Sequence, residues 1–251
     1  MTYLKGVYWD LDGTIANTEL EAHLPAFNKS FKDLKIDWYW DEKTYVDLLR
    51  INGGRNRISY YSNINNSKLT NKQIINIHKR KQFHYLNLIE SGAVKLKTGV
   101  FRLINELMEQ NIRQFIVTSS SKIQVNTLMD ILFRDIKPFE FFITSEDVNL
   151  HKPDPLPYLK AINLSGINKN NSIVFEDSIP GVLSALSAKL PTICVKSNIP
   201  VQFSSDIDLK MIVNTLGDNN QSTSILKGSF NYESYIDYKF LNKFLSYDLE
   251  N

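Results

Sequence analysis

The sequence predicts an α/β fold in which helices cover a parallel β-sheet and a helical segment follows the first strand. Short apolar runs alternate with longer stretches of helical periodicity, which is the pattern of a parallel sheet between helices. Four of the five clearest strand candidates come after residue 110. Residues 17–94 contain helical patterns and no convincing strand, so we expect a separate helical part there.

The elements of the predicted sheet are short apolar runs bounded by polar or turn-forming residues. The predicted strands are Val7–Trp9, Phe115–Val117, Phe141–Ile143, Ile173–Phe175 and Ile193–Val195. The amphipathic helices expected between them are Val100–Gln110, Ile123–Phe133, Tyr158–Leu164 and Val182–Ala188. These elements predict a Rossmann-like core formed by residues 1–16 and 95–251. The residues after about 219 have no predicted role.

The insert at 17–94 is predicted to be a helical cap domain over the strand ends. Helical patterns occur around Leu20–Leu34, Tyr45–Arg50 and Ile74–Ile89. Thr70 followed by Gln73 resembles a capping box, which would start the last of these helices.

Composition predicts a globular protein of ordinary type. The chain has 251 residues, 43% hydrophobic and 22% charged, with a net charge of +2, so nothing favours nucleic acid or a membrane as a partner. Its one cysteine, Cys194, lies in an apolar run and is expected to be buried, which fits a reducing compartment. With no signal-peptide pattern and no long apolar stretch, we expect a cytoplasmic monomer.

Polar segments follow four of the predicted strands. Asp10–Thr14, Thr118–Lys122 and Glu176–Ser178 follow strands directly, and a loop leads from another strand to His151–Pro153. Ligands of an open parallel sheet bind outside the carboxyl ends of its strands. Carboxylates, hydroxyls and a lysine are therefore predicted to meet in one site.

These residue types suit phosphoryl transfer. A carboxylate such as Asp10 attacks phosphorus only if its charge does not repel the phosphate, and a hard divalent cation removes that repulsion. We predict Mg²⁺ bound by the side chains of Asp10 and Asp177 and by the backbone carbonyl of Asp12. Lys152 would supply a further positive charge to the nucleophile and the phosphoryl oxygens. A turn permitted by Gly13 would let Asp12 act as general acid and then as base.

The serine-rich segment is predicted to bind the phosphoryl group and the substrate. Ser119 is assigned to catalysis, and Ser120, Ser121 and Lys122 to substrate binding. Asp147, which lies five residues before Lys152, is interpreted as structural.

The motifs resemble those of the haloacid dehalogenase superfamily. Asp10–Thr14 matches its first motif, Ser119 its second, Lys152–Pro153 its third and Glu176–Asp177 its fourth, over residues 5 to 200. The resemblance implies that Asp10 forms an aspartyl-phosphate, that Asp12 protonates the leaving group and later activates water, and that Asp177 binds magnesium. Glu176 is expected to support the metal ligands from beside them. The dehalogenases themselves lack Asp12, so its presence indicates a phosphatase or a phosphomutase.

The insert resembles the CbbY branch of this superfamily. The segments that carry the resemblance are Glu19, His23–Asn28, Asp37–Asp41, Gly53–Arg55 and the pair His78 and Lys81. Members of that branch dephosphorylate xylulose-1,5-bisphosphate, an inhibitor of Rubisco, so the resemblance implies this or a related sugar bisphosphate as substrate. Arg55 stands where the branch often has lysine and keeps the charge.

A bisphosphate needs positive charge away from the catalytic metal. Arginine after two glycines lets a guanidinium and backbone amides meet one anion. Glu19 would accept hydrogen bonds from sugar hydroxyls. The substrate-binding residues predicted in the insert are Glu19, His23, Gly53, Gly54, Arg55, His78 and Lys81.

A phosphomutase and a non-catalytic binding module are the alternatives to a phosphatase. A phosphomutase of the β-phosphoglucomutase type shares Asp10, Asp12 and Lys122 and differs in protecting its phospho-enzyme from water, which leaves this alternative open. A non-catalytic binding module is disfavoured because Asp10, Asp12, Lys152 and Asp177 are all present.

Overall fold

The chain divides into two compact units. The computed structural model describes residues 3–51, 53–230 and 234–250. One unit, here called the core unit, is formed by Met1–Asn17 and Lys95–Asn251, and the other, the helical unit, by Thr18–Val94. The division at the start of the insert comes one residue later than the sequence indicated, and the action of the helical unit as a cap stays a prediction.

The core unit contains a seven-stranded, mostly parallel sheet. Its strands are β1 Gly6–Trp9, β2 Arg113–Val117, β3 Phe142–Ile143, β4 Ser172–Glu176, β5 Thr192–Val195, β6 Met211–Val213 and β7 Ile225–Lys227. They lie in the order β3-β2-β1-β4-β5-β6-β7, and only β7 is antiparallel to its neighbour. The α/β fold and all five predicted strands are confirmed, whereas β6 and β7, three residues each, were not predicted.

Most helices of the described residues lie where the helical periodicity of the sequence predicts them. They are α1 Leu24–Asp33, α2 Glu42–Leu48, α3 Gly54–Ile64, α4 Asn71–Glu90, α5 Val100–Glu109, α6 Lys122–Leu132, α7 Leu156–Ser165, α8 Ile179–Ser187 and α9 Tyr238–Glu250. A π-helix, Glu19–His23, precedes α1 and divides the helix predicted over Leu20–Leu34. Helices α3 and α9 were not predicted. No helix in the described part of the chain is long and apolar enough to cross a bilayer.

Strand β1 lies inside the sheet, between β2 and β4, and brings the functional segments together. All four of its residues are buried, because helices cover both faces of a parallel sheet. Trp9, its last residue, pairs with Ile116 of β2 on one side and with Phe175 of β4 on the other. The segments that leave β1, β2 and β4 therefore start side by side at one edge.

The C-terminal segment completes the core unit. Arg102 of α5 donates hydrogen bonds to the carbonyl oxygens of Leu216, Gly217 and Ile236, and its guanidinium lies 4.2 Å from the centre of the Tyr235 ring. Helix α9 buries an apolar face formed by Phe240, Leu241, Phe244 and Leu245. The tail, which had no predicted role, is thus part of the core.

The helical unit has an aromatic core of its own. Phe27 and Phe31 of α1 pack against Trp38, Trp40 and Tyr45. The capping box predicted at Thr70 and Gln73 is present and starts α4. This core also contains Ile58 of α3 and Ile77 of α4, and these two helices carry four of the predicted substrate-binding residues, Gly54, Arg55, His78 and Lys81.

Candidate active site

Three carboxylates converge where the chain leaves β1 and β4. Asp10 follows β1 directly and is held by a backbone hydrogen bond from its amide to the carbonyl oxygen of Phe175, at 2.9 Å. Glu176 ends β4, and Asp177 follows it. One oxygen from each of Asp10, Glu176 and Asp177 lies within 4.8 Å of the others, and all three residues are buried. We call these residues the carboxylate cluster.

Lys152 contacts two members of the cluster. Its buried ammonium donates hydrogen bonds to Asp10 Oδ1 at 2.7 Å, to Glu176 Oε1 at 2.6 Å and to the carbonyl oxygen of Val117 at 2.8 Å. The predicted contact between Lys152 and Asp10 is therefore present.

Burial and charge act against each other in this site. Burial raises the pKa of Asp10, the neighbouring charges of Glu176 and Asp177 raise it further, and Lys152 opposes them. Burial alone would lower the pKa of Lys152, but the charges of Asp10 and Glu176 raise this pKa above its ordinary value. Lys152 therefore carries its proton, whereas Asp10 requires more positive charge to stay ionised.

The donor set of the cluster fits a hard divalent cation. Carboxylate oxygens are the ligands that Mg²⁺ and Ca²⁺ prefer. A cation bound there would favour the ionised form of Asp10 and replace part of the hydration that burial removes. The side chains of Asp10 and Asp177 were predicted as ligands. Glu176, which the sequence analysis predicts to lie beside the ligands, belongs to the same group of oxygens and could also hold the cation.

Tyr158 is a site residue that the sequence analysis missed. Its hydroxyl donates to Glu176 Oε1 at 2.7 Å, the same oxygen that Lys152 contacts. Burial raises the pKa of Tyr158 well above its usual value, so the hydroxyl remains a donor. The available signal was a tyrosine on the buried face of a helix that begins shortly after the Lys-Pro motif.

Two glycines leave room for the carboxylates. Gly13 has a φ of +89°, which confirms the turn predicted there, and a Cβ atom on it would overlap with Asp177 Oδ2. A Cβ atom on Gly181, in the first turn of α8, would overlap with the carboxylate of Glu176. Side-chain atoms at either position would thus displace a member of the cluster.

The turn at Gly13 places Asp12 beside the serine-rich segment. Asp12 Oδ2 accepts a hydrogen bond of 2.5 Å from Ser120 Oγ, so this serine orients the predicted acid-base residue. Ser119 and Lys122 are exposed. The Ser121 hydroxyl forms the capping box of α6 with Gln124, and its predicted contact with substrate stays a prediction. The first turn of a helix has unpaired N–H groups, and a serine at this position satisfies one of them.

Lys97 is a second residue that the sequence analysis missed. Its ammonium donates to the carbonyl oxygen of Gly13 and, at 3.0 Å, to that of Lys196. Burial lowers the pKa of Lys97 to about 8 despite the charges of Asp177, Cys194 and Asp10, which raise it. Cys194 itself is buried, as predicted.

Asp147 has the structural role predicted for it. Its carboxylate accepts hydrogen bonds from the amide and hydroxyl of Thr144, at 2.9 and 2.7 Å. These contacts fix the loop that follows β3.

Within the helical unit, His23 and Lys81 are in contact. Lys81 Nζ lies 2.5 Å from His23 Nδ1 and is 4.8 and 5.2 Å from the ring centres of Tyr85 and Phe27. Lys81 is only 4% exposed, so its charge is held largely out of water. Glu19 accepts a hydrogen bond from the hydroxyl of Tyr45.

The other predicted substrate-binding residues of the helical unit are His78, Gly53, Gly54 and Arg55. A Cβ atom on Gly54 would lie 3.0 Å from the His78 ring, so the glycine permits close packing. Burial, which has the largest effect, and the charges of Lys81, Arg55 and His23 together lower the pKa of His78 to about 4. The imidazole is therefore neutral at neutral pH. Gly53 and Arg55 are exposed at the start of α3. We call His23, Arg55, His78 and Lys81 the basic cluster.

Comparison with known proteins identifies the family. Residues 7–195 match the model of the haloacid dehalogenase-like hydrolases. The chain is 35% identical to protein CbbY of Rhodobacter capsulatus over 198 residues, which is 77% of this chain and 86% of the relative.

Solved structures agree with this result. The crystal structure of CbbY from Rhodobacter sphaeroides in complex with phosphate has a TM-score of 0.74 and 26% identity, over 84% of this chain and 94% of that one. A mutant of the same protein in complex with xylulose-1,5-bisphosphate has a TM-score of 0.75 at the same identity and coverage. The chain belongs to the haloacid dehalogenase-like hydrolase family and is a CbbY-like phosphatase.

The packing at Gly181 leads to a prediction about the cluster. We expect Gly181→Ala to displace Glu176 from Lys152, to lower the free energy of unfolding by about 1–3 kcal/mol and to reduce phosphatase activity by about tenfold or more. Chemical denaturation and hydrolysis of p-nitrophenyl phosphate measure the two effects. Ser187→Ala, at an exposed position of the same helix, is the matched control. Parent-like stability and activity of Gly181→Ala would contradict the packing described.

Proposed function

We propose that this CbbY-like member of the family is a magnesium-dependent phosphatase that hydrolyses a small sugar phosphate through a phospho-aspartate on Asp10. Its proposed substrate is xylulose-1,5-bisphosphate or a related sugar bisphosphate. The carboxylate cluster with Lys152 bound to Asp10 carries the proposal. The xylulose-1,5-bisphosphate complex of the Rhodobacter sphaeroides relative supports the substrate class.

Asp10 acts as the nucleophile in the first step. Its carboxylate oxygen attacks phosphorus, and the bond between phosphorus and the leaving-group oxygen breaks. Lys152 holds the Asp10 carboxylate in place and stabilises negative charge on the phosphoryl oxygens. Ser119, which is exposed shortly after β2, donates a hydrogen bond to the phosphoryl group.

Asp12 carries the proton in both steps. Protonated Asp12 gives its proton to the leaving alkoxide, and the resulting carboxylate then removes a proton from the water that attacks the phospho-aspartate. Ser120 orients Asp12 for both transfers through the hydrogen bond to Oδ2. Hydrolysis of the acyl phosphate restores the Asp10 carboxylate and releases inorganic phosphate.

Asp10, Glu176 and Asp177 would hold Mg²⁺, with the carbonyl oxygen of Asp12 as a further ligand. The bound ion would supply Lewis-acid stabilisation of the phosphoryl oxygens. Glu176 also fixes Lys152, so it links the cation site to the nucleophile.

The basic cluster is the proposed site for the second phosphate. Arg55 and Lys81 would bind the anion, and backbone amides at Gly53 and Gly54, at the start of α3, would add hydrogen bonds. Neutral His78 would exchange hydrogen bonds with the sugar or its phosphate, and Glu19 would accept from sugar hydroxyls.

Asp10→Asn should abolish turnover, because an amide does not attack phosphorus, while the fold is retained. Phosphate release is measured under saturating substrate, and circular dichroism checks the fold. Asp130→Asn removes an exposed carboxylate from α6 and should retain parent activity. Steady-state turnover by pure Asp10→Asn would disprove the role of Asp10 as nucleophile.

Activity should disappear in excess chelator and return with Mg²⁺, because the carboxylate cluster otherwise repels the phosphate. Calcium should support little turnover, since its larger and more variable coordination sphere misplaces the in-line geometry. The measurement is phosphate release as a function of free metal concentration. Undiminished hydrolysis after chelation would rule out metal dependence.

Loss of a basic-cluster charge should impair hydrolysis of bisphosphates selectively. A charge-assisted contact contributes about 1.5–3 kcal/mol, so Arg55→Ala and Lys81→Met should lower kcat/KM for xylulose-1,5-bisphosphate by about ten- to a hundredfold. Hydrolysis of p-nitrophenyl phosphate, which has no second phosphate, should stay near the parent value. Methionine keeps the volume of the buried Lys81 side chain.

Lys79→Ala, at an exposed position of the same helix, is the control. Equal losses on both substrates would indicate a structural role for Arg55 and Lys81, and no loss on either would place the second phosphate elsewhere. A panel of these two substrates with ribulose-1,5-bisphosphate and glucose 1-phosphate separates the two candidate activities. A phosphatase releases inorganic phosphate, whereas a mutase forms an isomerised sugar phosphate.

A further inference from the structure

Lys97 joins two segments of the active-site edge. Its side chain bonds to the carbonyl oxygens of Gly13, in the turn after β1, and of Lys196, directly after β5. The Lys97 amide also donates to the carbonyl oxygen of Ile15, at 2.9 Å. Lys97 is therefore bonded through both its backbone and its side chain to the turn that follows β1 and Asp10.

The Gly13 peptide is fixed on three sides. Its amide donates to the carbonyl oxygen of Ala16 at 2.7 Å, and its Cα faces the carboxylate of Asp177 with no room for a side chain. Its carbonyl oxygen is the third point of attachment, and Lys97 provides the donor. Gly13 has a φ of +89°, and a glycine can adopt many other backbone conformations. These contacts select one of them.

We propose that Lys97 is a positioning residue that fixes the turn after Asp12 and so aims the Asp12 carboxylate at the leaving-group oxygen. Asp12 precedes Gly13 directly, so the orientation of the Gly13 peptide limits the directions that the Asp12 side chain can take. Ser120 holds the carboxylate itself, and Lys97 holds the backbone that carries it. This inference depends on the proposed role of Asp12 as general acid.

A misdirected general acid has a distinctive kinetic effect. Alkoxide leaving groups need a proton from Asp12, whereas p-nitrophenolate leaves readily without one. Loss of Lys97 should therefore reduce the phosphorylation step far more for a sugar phosphate than for p-nitrophenyl phosphate. A general weakening of the fold or of the cation site would reduce both.

The test compares kcat/KM on these two classes of substrate. With Lys97→Met, we expect a loss of about ten- to a hundredfold on the sugar phosphate of the panel that the parent hydrolyses fastest, out of the 10²–10⁴-fold that general acid-base catalysis supplies. On p-nitrophenyl phosphate we expect a loss below about threefold. Lys97→Arg, which keeps a donor for both carbonyls, should restore the sugar phosphate rate, and Lys95→Met, at an exposed position, should match the parent.

Each outcome decides the inference. Equal losses on the two substrates, or parent activity of Lys97→Met, would overturn it. Lys97→Gln, which keeps a polar head on a shorter chain, gives the same comparison if Lys97→Met does not fold. A parent protein that hydrolyses no phosphate ester would reject the proposed function instead, and that result is seen without any variant.

Discussion

The active site depends on the buried contact of Lys152 with Asp10 and Glu176. A buried carboxylate is costly unless it is paired and hydrogen-bonded, and this lysine pairs with two of the three members of the carboxylate cluster. The Val117 carbonyl oxygen accepts a further hydrogen bond from Lys152, and the Tyr158 hydroxyl donates one to Glu176. The same charge that makes the buried cluster tolerable also holds Asp10, the proposed nucleophile, so one side chain serves both stability and the proposed chemistry.

The topology of the sheet makes this contact possible. Asp10 and Glu176 come from neighbouring strands, and β2 on the other side of β1 supplies the Val117 carbonyl. Lys152 arrives from a loop 142 residues after Asp10 in the chain. Residues far apart in sequence thus meet because parallel strands all end at one edge of the sheet.

Much of the fold and the core motifs could be predicted because their signals are local. The five apolar strands and the turn at Gly13 follow directly from residue type and spacing. Lys97 and Tyr158 were missed because their roles depend on which distant atoms they reach. Ser121 is predicted to bind substrate, and its spacing to Gln124 is also that of the helix cap that the structure shows. In α9 the apolar residues Phe240, Leu241, Phe244 and Leu245 recur at helical spacing, so the sequence carries a signal for this helix. Strands β6 and β7 have three residues each and carry no clear signal.

The half-buried His78 imidazole gives the helical unit a limited tolerance of acid. Its pKa is about 4 in the folded chain and about 6.5 in an unfolded one, so the unfolded state binds the extra proton first as the pH falls. His78 therefore does not lower the free energy of unfolding above pH 6.5. Between pH 6.5 and 4 its titration lowers the free energy of unfolding by up to about 3 kcal/mol. Packing an uncharged histidine beside cationic side chains is therefore compatible with folding at neutral pH and weakens the helical unit in acid.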